Sequence, residues 1–91
     1  MVKYENRVIK SVRKNELAKD RFIVFDEIFK IIDETKKFDL FDVKLLKSSG
    51  TRNYYRLRKG KYRAIFYIED DIIVVLIAKR EEIYKLWESI Q

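Results

Sequence analysis

Residues 54–79, "YYRLRKGKYRAIFYIEDDIIVVLIAK", decide the fold. They read as three strands in succession. Gly60 separates a strand over residues 53–59 from one over residues 61–69, and an acidic turn at Glu69 to Asp71 separates the second from a third. That third run, Ile72 to Ala78, is continuously apolar and largely β-branched, as expected of a strand covered on both faces. If Gly60 and Lys61 are the central pair of a type II′ turn, Lys59 pairs with Tyr62 and Arg58 with Arg63. Strand side chains alternate, so Arg56, Arg58, Lys61 and Arg63 share one face. Tyr55, Leu57, Tyr62, Ala64 and Phe66 fall on the other, available for a core.

Toward the N-terminus, Val8, Ile9 and Val12 lie on one helical face and indicate a short helix over residues 5–14, with Asn15 able to cap the next helix. That longer helix is expected from Glu16 to Glu34. Its apolar residues Leu17, Phe22, Phe25, Ile28, Phe29 and Ile32 recur at spacings of three and four. "DETKKFDLFDVKLLKSSG" loses that period and reads as a connection across the domain edge, fastened by Phe38, Leu40, Phe41 and Leu45. Residues 2–5 show too little alternation to choose between strand and coil. "REEIYKLWESIQ" closes the chain as a short amphipathic helix burying Ile83, Leu86 or Trp87, and Ile90. The expected fold class is α+β: an N-terminal helical hairpin packed on one face of a small antiparallel meander, followed by a short C-terminal helix.

The chain has 91 residues, expected to form one domain over 1–91 with material for one core. Its composition, 47% hydrophobic and 40% charged, is that of a globular chain and not of a disordered polyelectrolyte. No apolar run approaches the roughly 20 residues that cross a bilayer, and the N-terminus lacks a signal-peptide core, so the expected location is the cytoplasm, with no membrane partner. Without cysteine there are no disulfides or thiolate zinc sites, and without histidine the usual imidazole ligands and the commonest acid-base group are missing. Neither a metal nor a cofactor is expected.

The net charge of +6 favours a polyanionic or acidic partner. The charge is concentrated: Thr51 to Arg63 carries six cations, and Val43 through Ile68 contains no Asp or Glu. Like charges directly across a ladder destabilise it by a few tenths to about 1 kcal/mol. Guanidinium forks match phosphate oxygens, so several on a rigid sheet would clamp a nucleic-acid backbone. Arg52, Lys59 and Lys61 would add phosphate contacts. The plainer reading is a solvated edge whose cations suppress aggregation. Arg80 and Tyr84 lie four apart at the start of the last helix and point the same way, a spacing that surface packing also produces. Glu81 and Glu82 suit the helix N-terminus, and Trp87 continues the apolar side of its helix.

Taken in order, "VKLLKSSG", "YYRLRKGKYRAIFYI" and "IIVVLIAKREEIY" resemble the RelE toxins of the RelE/ParE superfamily, and an archaeal member in particular. The resemblance covers residues 40–85. It implies a toxin that enters the ribosomal A site and cuts messenger RNA there as a metal-independent endoribonuclease, held inactive by a RelB-type antitoxin. By position, the family's basic strand pair falls on Arg56 and Arg58, its next-strand arginine on Arg63, its later arginine on Arg80 and its helix tyrosine on Tyr84. The strand pair is lysine in the best-studied branch of the family and arginine here. Cleavage would proceed by attack of the ribose 2′-hydroxyl on its own phosphate, with Tyr84 as base, Arg80 as acid and the other three stabilising charge. The antitoxin would displace the last helix or cover the basic face. Two rivals stand beside this reading: a ParE-like poison of DNA gyrase, and a degenerate toxin kept as a nucleic-acid or antitoxin binder.

Overall fold

The computed structural model describes residues 1–50 and 52–90, with Ser49 by its backbone alone. Gln91, where the last helix was expected to end, lies outside them. In chain order the elements are β1 (Val2–Tyr4), α1 (Asn6–Arg13), α2 (Lys19–Thr35), β2 (Asp42–Ser49), β3 (Arg52–Lys59), β4 (Tyr62–Glu69), β5 (Asp71–Lys79) and α3 (Arg80–Ile90). The strands form one sheet in the order β1-β5-β4-β3-β2. β2 to β5 pair antiparallel with sequence neighbours, whereas β1 lies parallel to β5, Val2 beside Ile72 and Tyr4 beside Val74.

This corrects the expected fold class in three respects. The sheet is mixed and five-stranded, not an antiparallel meander alone. α1 and α2 pack on the sheet, α1 on β5 and α2 on β1 and β5, instead of forming a hairpin that docks as a unit. The helices occupy both faces, so the chain builds two apolar clusters and not one. Phe25, Phe29 and Ile32 from α2 meet Leu57, Ala64, Phe66 and Val74 on one side of the sheet. Ile83 and Trp87 from α3 meet Ile65, Val75, Leu76 and Ala78 on the other. A bulge in β5 makes this possible. Phe66 pairs with Val74 and Ile65 with Leu76, which leaves Val75 over and turns Val75 and Leu76 successively toward α3.

Residues 42–49, expected as connection, are an edge strand. Their alternation is broken where the register slips between Leu45 and Lys47, so that Leu46 reaches the α3 cluster while Leu45 is left 58% exposed. Phe38 and Phe41 do pack against the core, but Leu40 is exposed. Asn15 does not cap a helix; it takes φ 59, and α2 begins three residues later than expected, after Ala18 and without a side-chain cap. In α3, Trp87 is buried while Leu86 and Ile90 are exposed. Gly60 has φ 61, as the first central residue of a type II′ turn requires, and Lys59 pairs with Tyr62.

Carboxylates fasten β1. The Tyr4 hydroxyl donates to Asp26 Oδ1 at 2.6 Å, and Lys30 lies 2.9 Å from Asp26. Asp71 is 3.0 Å from Lys3. Partial burial works to raise the Asp26 carboxyl, but the hydrogen bonds from Tyr4 and Lys30 outweigh it and hold it below its ordinary value. Asp71 is held down chiefly by Lys3. A carboxyl with a depressed folded-state value contributes stability that is present above its unfolded value, near 3.9, and is lost as pH falls through the folded one. The urea midpoint followed by circular dichroism should therefore stay level from about pH 7 to about 5 and decline below about 4. A midpoint that rises on acidification would contradict this assignment.

Candidate nucleic-acid interface

Alternation along β3 and β4 sends Arg56, Arg58 and Arg63 to the face of the sheet that carries α3. Across the ladder Arg58 sits directly opposite Arg63. Because α3 follows β5 without a loop, and Arg80 N–H donates to the Lys61 carbonyl at 3.0 Å, the start of that helix is tied to the hairpin tip. Arg58, Lys61, Arg63, Arg80 and Glu81, with Gly60, consequently line an open cleft of about 360 Å³. Tyr84 stands one turn beyond Arg80 and is 42% exposed.

Arg63 is the anchor of this group. It is only 6% exposed, and its Nη1 donates to the carbonyls of Gly60 at 3.0 Å and Tyr62 at 2.9 Å, so the turn backbone orients the guanidinium. Burial, then repulsion from Arg58 and Arg56, lowers its affinity for a proton; Tyr84 acts in the opposite sense, and Arg80 adds a further repulsion. A cation held beside other cations in this way is prepared for an anion. Arg56 is mostly buried by its side chain and donates from Nη2 to Asp42 Oδ1 at 3.1 Å, while its Nε is buried without a partner.

The remaining sequence candidates lie apart. Arg52 is on the same face but six residues back along β3, roughly 20 Å away. There it pairs with Glu69 at 2.7 Å and stacks 3.9 Å over the Tyr67 ring. Lys59 is exposed on the opposite face, across from Tyr62. Sequence reasoning missed Asp42, because the acid-free window begins at the next residue and Asp42 returns to the site only through the pairing of β2 with β3. A second, mostly apolar groove of about 350 Å³ runs between α1 and α3 beside β5, lined by Val8, Leu17, Leu76, Leu86 and Ile90 among others. Among the described residues no group of three or more carboxylates is gathered to hold a metal, and no helix is long and apolar enough to cross a membrane.

Two solved structures have a similar architecture. One is a chain of the archaeal RelE–RelB complex from Pyrococcus horikoshii OT3, with a TM-score of 0.67 and 29% identity, covering 87% of this chain and 92% of that one. The chain shares its fold. The other is a chain of the RelB–RelE antitoxin–toxin complex from Methanococcus jannaschii, with a TM-score of 0.68 and 23% identity, covering 92% of this chain and 96% of that one. At that identity the second likeness concerns the fold alone. No protein-family model matches the chain, and no curated protein matches it significantly.

Proposed function

We propose that the chain is the toxin of a RelBE-type toxin–antitoxin pair, a single RelE-like domain that cuts messenger RNA in the ribosomal A site. The observation that carries this reading is the convergence of Arg58, Arg63 and Arg80, with Tyr84 one turn away, at one end of the sheet. The likeness to a chain of an archaeal RelE–RelB complex supports it. In the proposed reaction the ribose 2′-oxygen forms a bond to the adjacent phosphorus and the bond from phosphorus to the 5′-oxygen breaks. Tyr84, acting as its phenolate, takes the 2′-hydroxyl proton and becomes the phenol, the Arg80 guanidinium supplies a proton to the departing 5′-oxygen, and Arg56, Arg58 and Arg63 stabilise the pentacoordinate phosphate. Preorganised donors need no rearrangement as charge develops, and the bound host supplies the RNA geometry.

The partner is an antitoxin of RelB type, partly disordered when free and acidic enough to meet a chain of charge +6. The groove between α1 and α3 offers it an apolar seat close to the helix that carries Tyr84. Mapping of messenger-RNA ends after adding purified protein to a translation extract tests the reading. New ends at A-site codons are expected from the parent protein and not from an Arg63→Ala variant. Absence of new ends from folded, antitoxin-free parent would remove the ribonuclease assignment and leave a binder of nucleic acid or antitoxin.

A further inference from the structure

Part of the four-cation face of the hairpin is closed by a carboxylate from the neighbouring strand. Asp42 begins β2 and sits opposite Arg58 in the ladder. Its Oδ1 accepts from Arg56 Nη2 at 3.1 Å and its Oδ2 lies 3.9 Å from Arg58 Nε. One carboxylate thus faces two guanidiniums with two oxygens. Two non-bridging oxygens of a phosphodiester would present themselves to that pair in the same way. Arg56 uses only part of its fork in this arrangement, since its Nε is buried without a partner. A buried donor left unpaired keeps the cost of its lost hydration. The pairing with Asp42 is accordingly incomplete.

We infer that Asp42 is an internal counter-ion of the phosphate site, occupying Arg56 and Arg58 in the free protein and displaced from them when RNA binds. The inference rests on the phosphate-binding reading of this face and adds a specificity device to it. A site whose two strand arginines already hold a carboxylate binds loose polyanions weakly. It yields to a phosphate that is presented rigidly or alongside other contacts. Asp42 is itself 44% exposed by its side chain and lies at the end of an edge strand, so it can swing aside without disturbing the core.

The test is equilibrium binding of a fluorescent single-stranded RNA oligonucleotide to purified, antitoxin-free protein across about 50–200 mM salt. Asp42→Asn keeps the shape and removes the charge. It should bind several-fold more tightly at low salt, and the slope of log K against log salt should steepen by about 0.7, the value for one further single-strand phosphate contact. In an Arg56→Ala, Arg58→Ala background the same Asp42 change should have no effect, since the groups it neutralises are gone. Parental affinity and slope in a folded Asp42→Asn protein overturn the counter-ion role alone. No RNA binding by parent or variant at any salt overturns the phosphate reading, and the counter-ion with it.

Discussion

Tyr84→Phe is expected to lower A-site cleavage of messenger RNA by about 10²- to 10⁴-fold, the range that a positioned general base contributes. The change deletes one hydroxyl from a ring that is 42% exposed on the outer side of α3, so stability should move by no more than about 0.5 kcal/mol. That separation makes the variant informative. Ile83 and Trp87, which hold α3 to the sheet, are buried and untouched, and Arg80 remains tied by its backbone to Lys61. The basic cleft therefore keeps its shape, and RNA affinity should be preserved while the cleavage rate falls. Arg63→Ala should behave differently. Its guanidinium is oriented by two carbonyls of the turn, and its removal takes away both the proposed phosphate contact and a packed side chain. End mapping in a translation extract, with growth inhibition as the cellular counterpart, reads the Tyr84 outcome. Cleavage at the parental rate would take the tyrosine out of the mechanism.

Phe66→Ala should destabilise the fold by about 3–5 kcal/mol, the usual cost of emptying a large aromatic site in a core. Against a total stability of about 5–15 kcal/mol for a small domain, that is a large share of what keeps the chain folded. Phe66 is fully buried at the point where β3, β4 and α2 meet. Its ring stands edge-on to Phe29 at 5.1 Å and to Phe38 at 6.0 Å, and stacks on Tyr55 at 5.6 Å. Phe29 is also held against Phe25, and Phe38 against Tyr55, so these rings cannot close the space without giving up those contacts. Ile68→Ala is the control, two residues along the same strand, since Ile68 is 46% exposed. Urea denaturation should show it near the parental midpoint. A loss below about 1 kcal/mol for Phe66→Ala would mean that the core repacks around the gap, contrary to the close packing described.

Much of the candidate site was legible because it is local. The pairing of Arg58 with Arg63, the two faces of the hairpin and the four-residue spacing of Arg80 and Tyr84 follow from a glycine turn, a period of two and a period of 3.6. The location of Arg52 was not legible in this sense. Parity put it on the right face, but its engagement with Glu69 and Tyr67 depends on β4 and lies at the far end of the strand. Asn15 misled for a different reason. A small polar residue before an apolar run suits a helix cap, yet it equally suits the left-handed turn it occupies.

The hairpin, its cationic and apolar sides, and the buried strand after it follow from the chain alone, since each depends on residues within one or two turns or pleats of one another. The remaining elements depend on long-range pairing. β1 is three residues long, too short to carry an alternation, and exists as a strand because β5 has a free edge to pair with it. β2 is hidden in the sequence by its register slip, and becomes a strand against β3. The assignment of α3 to the opposite face depends on the β5 bulge, where one extra residue reverses the direction of every side chain beyond it. That reversal, with the return of Asp42 to the arginines, arises from pairings between distant segments, and such pairings leave no periodic trace in the chain.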